Sequence, residues 1–206
     1  MTTSMKNYLN LSTLFFQILF LAAVVLGAAF LFSGSSCNSI KGRDSKAVAC
    51  ELNEARFDNS EDIKNAGYLV NVAEIHLKEI HLARVAQQKA KHIDVKELGK
   101  MIEKMNANTL NALSILANKK SISIPGSTTI QGLEAADFLN KKSGISFDKE
   151  YCDMMVVSQK RIIDIFEDIV DESEDAEIKI WAFCALPALR KHLDYALICQ
   201  KKYAAI

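Results

Sequence analysis

Proline and glycine are scarce, with two and eight in 206 residues. So few turn formers argue against an all-β fold, which spends Gly and Pro on its many reversals. An excess of charge of either sign is also missing: 25 Lys and Arg balance 25 Asp and Glu. The basic surplus that marks a nucleic-acid binder is therefore absent, and no nucleic-acid partner is expected. No Cys-x-x-Cys, Ser-His-Asp pattern, phosphate-cradling Gly loop or zinc-protease motif occurs, so no catalytic residue is expected. What is present is hydrophobicity: half of the residues are apolar, which excludes a wholly disordered chain.

The apolar content is concentrated first near the N-terminus. Leu14 to Phe32 is a run of 19 residues whose one strongly polar member is Gln17, with Lys6 ahead of it. Signal-peptide cores run about 7–15 residues, and about 18 or more suggests a membrane span. The run sits on that boundary. It ends in Ser33-Gly34-Ser35-Ser36-Cys37, small residues leading to a Cys as at a bacterial lipoprotein cleavage site. Three readings stay open: a lipid on Cys37, an uncleaved anchor, and plain secretion. All export the remainder to a bacterial cell envelope. The membrane is the expected partner, through the N-terminal segment or its lipid. A protein or small-molecule partner is unnamed. Residues 1–37 are thus a signal or anchor segment. Residues 38–58, mixed polar with little periodicity, are expected to be a flexible tether.

Residues 59–206 carry a helical period, and an antiparallel four-helix bundle with an inserted short helix is expected. Helix-forming stretches run from about Glu61 to Lys91, Asp94 to Lys119, after Ser146, and after Ser173, with a shorter piece over Ile130 to Lys142. Asp94 and Glu97 have capping-box spacing. The predicted stripes are Leu69, Val72, Ile75, Leu82 and Ala86; then Leu98, Met101, Met105, Ala112 and Ile115. In the second half they are Cys152, Met155, Gln159, Ile162, Phe166 and Ile169; then Ile178, Ala182, Ala185, Leu189, His192, Ala196 and Cys199.

Counting outward from each short connection gives residues at one level. Glu79 then faces Met105, and Gln159 faces His192. Three polar side chains on apolar stripes imply a mid-bundle cluster of Glu79, Gln159 and His192 with Met105 on the fourth side, because buried polar groups need partners. The same counting sets Cys152 opposite Cys199. An exported domain permits a disulfide there. His76, three residues before Glu79, could complete a His-x-x-Glu pair but falls one face over. His81 and His92 read as surface residues.

Glu79-Ile80-His81-Leu82, the Met101 turn, Phe147 to Val156 and Leu186-Pro187-Ala188-Leu189-Arg190-Lys191-His192-Leu193 together resemble an uncharacterised bacterial family of exported, ferritin-like four-helix bundles, a domain of unknown function. The resemblance implies a metal-type cluster of one Glu and three His. Here Met105 and Gln159 stand where the two middle histidines belong, and Glu79 and His192 remain. Met and Gln are poor ligands for zinc or iron, the metals such a set would take. No cofactor is expected. The sequence therefore points to a membrane-tethered envelope protein whose bundle is a non-catalytic binding or structural module. The alternative is a degenerate metal-binding or oxidoreductase-type bundle.

Overall fold

The structure, a computed structural model, describes residues 43–203. The expectations for Leu14–Phe32, Cys37 and residues 38–42 lie outside them. Among the described residues there are six helices and no strand: α1 Ser45–Glu54, α2 Ser60–Lys89, α3 Ile93–Lys119, α4 Ile130–Asn140, α5 Gly144–Glu172 and α6 Ala176–Tyr203. No described helix is long and apolar enough to cross a membrane.

α1 corrects the expected tether. It begins on Asp44, whose Oδ1 accepts from the backbone N–H groups of Lys46 (2.9 Å) and Ala47 (3.3 Å). Asp44 Oδ2 accepts from Ile130 N at 2.7 Å. Asn53 exchanges two bonds with Ser123, donating to its carbonyl and accepting from its N–H. Lys46 pairs with Glu74 at 2.6 Å. Only Ala49 and Asn53 of α1 are buried. The segment is held by polar contacts to residues 74 and 123–130, which no local apolar period announces.

α2 is buried almost all round, because α1, α3, α4 and α5 all pack on it. α3 and α5 run antiparallel to it. Arg84 bonds Glu103 of α3, while Tyr68 reaches Glu172 and Glu79 reaches Gln159, both of α5. α4 runs alongside α2 in the same direction, since Gly132 lies against Lys78 and Lys89 donates to the Asn140 carbonyl. α6 returns antiparallel to α5, with Arg190 on Glu167 and Gln200 on Asp153. Gly99 lets α3 come close to α2: a Cβ there would sit 2.9 Å from the Ala83 carbonyl oxygen.

The expected α3 stripe is rotated. Ile115 is 64% exposed and Met105 half-buried, whereas Val95, Leu98, Ile102, Asn106, Leu113 and Leu116 face inward. Both rows have helical spacing, and the true one was disguised by a polar Asn106. The capping box at Asp94 does not form either. His92 occupies the N-cap without a side-chain capping bond, and the Asp94 carboxylate instead accepts from Lys202 and the Tyr203 hydroxyl, each at 2.6 Å. The α2–α3 turn is stabilised from α5. Asp148, fully buried, accepts from the backbone N–H groups of Lys91 and His92, each at 2.9 Å, and from His92 Nδ1 at 2.6 Å.

Candidate functional site

Two apolar clusters fill the interior. One is built around Leu69, Val72, Leu113, Ile162, Phe166 and Leu189. The other is built around Leu82, Val95, Ile102, Phe147, Met155 and Ala196. In α2 the residues between Ile75 and Leu82 divide them, and there the core turns polar. His76, Glu79 and Gln159 are each 0% exposed, Asn106 1%, Ser158 4% and His192 5%.

Glu79 is the centre of this layer. Its Oε2 accepts from Asn106 Nδ2 at 2.6 Å and from Gln159 Nε2 at 2.8 Å. Asn106 Oδ1 lies 3.0 Å from His76 Nδ1. An amide oxygen only accepts, so that nitrogen carries the hydrogen and Nε2 keeps the lone pair. The chain Gln159–Glu79–Asn106–His76 thus joins three helices.

The structure brings Glu79 and Gln159 together and sets Met105 outside. One residue changes height by only about 1.5 Å but azimuth by about 100°. Counting levels therefore found the right height in α3 and the wrong side chain. His192 is in the same interior, yet no hydrogen bond joins it to Glu79 or Gln159, and its Nδ1 is unpaired. Sequence reading missed Asn106, Ser158 and Tyr151, and set His76 one face away. The three-residue spacing of His76 and Glu79 was the available signal, since residues three apart share a helix face.

Burial sets the protonation states. It raises the Glu79 pKa, while the Ser158 hydroxyl, Asn106, Lys78 and Gln159 pull the other way. Ser158 acts from a position that does not close a hydrogen bond. Burial lowers His76 to about 4, with Asn106 opposing and His192 assisting. Burial, assisted by Lys191, also lowers His192 to about 4. Both imidazoles are neutral near pH 7. Burial, with the Glu79 charge behind it, raises Tyr151 well above the ordinary phenol value. Taking two charges out of water is expensive, and this layer avoids that cost by keeping its histidines uncharged.

Several buried atoms remain without a protein partner: His76 Nε2, Glu79 Oε1, Tyr151 OH, Ser158 Oγ, Gln159 Oε1 and His192 Nδ1. The metal set implied by the family resemblance does not fit them. Among the described residues no three His, Cys, Asp or Glu groups gather so as to hold a metal ion. Gln159 also turns its amide donor toward Glu79, and Met105 is elsewhere.

Two turns along α5 and α6, Cys152 and Cys199 are joined by a disulfide, with Cα atoms 5.9 Å apart. Small Ala196 is fully buried beside them. Cys50 and Cys184 are free.

The family described as a domain of unknown function, DUF4142, matches residues 52–197, and the chain belongs to it. No curated protein and no solved structure matches the chain.

Proposed function

We propose that this family member is an exported, membrane-tethered protein of the bacterial cell envelope, and that its ferritin-like four-helix bundle is a non-catalytic binding or structural module. The observation that carries the non-catalytic part is burial. A group that reacts with a substrate must be reached by it, and Glu79, His76 and Gln159 are each 0% exposed. Their arrangement serves the interior, where the hydrogen-bonded chain Gln159–Glu79–Asn106–His76 ties three helices in register. The bundle reading is supported by direction. α2 and α6 run one way, α3 and α5 the other, and α4 bridges the two like-directed helices α3 and α5. Export is supported by the Cys152–Cys199 disulfide, since such bonds persist in oxidising compartments. Tethering rests on the apolar run Leu14–Phe32 and on Cys37.

Fractionating cells that express the full chain tests this reading. The protein should sediment with membranes, be digested by protease added to spheroplasts, and carry oxidised Cys152 and Cys199. A soluble cytosolic protein with both thiols free would overturn it. Cys37→Ala should block lipid incorporation if the anchor is lipid and change nothing if the helix is uncleaved. Stoichiometric zinc or iron in the purified full chain would favour the degenerate metal-bundle alternative.

A further inference from the structure

A cleft of about 280 Å³ lies over the outer face of α5, walled by α2 and α4. Its contents are sorted along its length. At one end are Lys78, Arg161 and Ser158; in the middle Leu82, Ala135, Met154 and Val157; at the other end Glu150 and Asp153. The two carboxylates are engaged: Glu150 lies 3.7 Å from Lys142, and Asp153 Oδ1 accepts from Gln200 at 2.8 Å. The two cations are not. Among the described residues neither Lys78 nor Arg161 makes an ion pair or a hydrogen bond. Burial lowers the Lys78 pKa most; the Glu79 carboxylate favours its charged form, Arg161 opposes it, and Glu74 favours it again. Both cationic heads keep their donors unused by protein acceptors. Beside them Ser158, 4% exposed, has a hydroxyl with no protein partner. Asp153 lies two turns from Arg161 along α5, about 12 Å, so the acidic end does not neutralise the basic one.

We propose that this cleft binds a small amphiphilic oxyanion, with its acid group at Lys78, Arg161 and Ser158 and its apolar body along Leu82, Met154 and Val157. Arg offers a planar fork and Lys a point charge to the oxyanion. The Ser158 hydroxyl supplies the donor that its surroundings leave unused. The volume sits at the small end of ligand pockets, which suits a single ring or short chain. Ser158 also borders Glu79, so an occupied cleft touches the edge of the buried polar layer. This site is separate from the tethered-module reading, which stands or falls by fractionation alone.

The test is calorimetric titration of the full chain in zwitterionic lipid nanodiscs, with empty nanodiscs subtracted. The probes are benzoate, phenyl phosphate and uncharged benzyl alcohol. At least one anion should bind saturably at one site, and benzyl alcohol should not. The tighter anion assigns the head group as carboxylate or phosphate. Lys78→Met and Arg161→Met should each weaken binding by about tenfold, the loss of one charge-assisted contact. Arg161→Lys should recover part of that loss, and Lys142→Met should change affinity by less than about twofold, within the range of an exposed pair. Absence of saturable binding by either anion would overturn the proposal. So would equal binding of benzyl alcohol, or affinity unchanged in both Met variants.

Discussion

At the end where α2 turns into α3, buried and covalent fastenings add to exposed ones such as Lys202 on Asp94. Asp148 caps the turn from inside, the Cys152–Cys199 bond links α5 to α6, and the Tyr203 ring lies 5.0 Å from His92. At the opposite end they lie mostly at the surface. Lys119 and Lys120 pair with Glu177 and Asp175, and Lys64 and Tyr68 reach Glu172. The buried bond from Ser173 to Asn65 is the exception. Exposed pairs contribute about 0–1 kcal/mol each, whereas breaking buried polar contacts costs more because the remaining partner is stranded. Opening should therefore start at the α6 N-terminus and α5 C-terminus, with the polar layer between the two ends.

The largest effect should come from the covalent fastening. The bond closes a sequence separation of 47 residues, for which chain entropy gives about 4 kcal/mol. Cys152→Ala with Cys199→Ala should lower urea stability by an amount of that order. A loss under about 1 kcal/mol would mean that packing alone closes this end.

Acid should act on the middle layer. His76 has a folded pKa of about 4 against 6.5 for the free group. The unfolded chain therefore binds the extra proton, and stability falls as pH drops from about 6.5 to 4. For His76 alone the loss is about 3 kcal/mol, with His192 adding in the same direction. Glu79 opposes them. Its raised pKa contributes stability at low pH that is lost as pH rises through the folded value. Denaturation of Glu79→Gln across this range should therefore show a steeper acid loss than wild type. A flat profile in wild type would mean that the layer takes up protons without unfolding.

Asp148→Ala should cost about 3 kcal/mol, since two backbone N–H groups and an imidazole lose one acceptor. Hydrogen exchange at Lys91 and His92 should rise with it. Next, Asn106→Ala should cost about 2 kcal/mol, by stranding His76 Nδ1 and removing one donor from Glu79. Met105→Ala, half-exposed, should cost less than about 1 kcal/mol. If thermal melting ranks those two the other way, the azimuth of α3 is wrong. The smallest effect belongs to the exposed end. Lys119→Met should change stability by about 0.5 kcal/mol or less, and high salt should erase even that.

The four long helices were legible from their apolar periods, because a period of 3.6 is written in the residues that bury it. α5 shows this best: Cys152, Met155, Gln159, Ile162, Phe166 and Ile169 are all buried. α1 was illegible, because its ten residues bury only Ala49 and Asn53 and its hold comes from Ser123, Glu74 and Ile130, distant in sequence. Glu79 and Gln159 were legible as polar interruptions of apolar stripes. Asn106 was not, since a polar residue in α3 reads as surface until a partner is known. His76 was seen and misplaced, because α2 is enclosed on more sides than a single stripe anticipates.

By itself the sequence determined the all-helical class, the approximate helix limits, the level at which polar groups meet, and the pairing level of Cys152 with Cys199. These depend on residue type and on counting along one chain. Only the tertiary structure decided which face of α3 turned inward, which amide reached Glu79, and that Asp148 caps a turn more than fifty residues away. It also set Lys78 and Arg161 on one cleft with no ion pair or hydrogen bond among the described residues. Those outcomes depend on azimuth and on close approach between helices, and a step of one residue, about 100° on a helix, decides both.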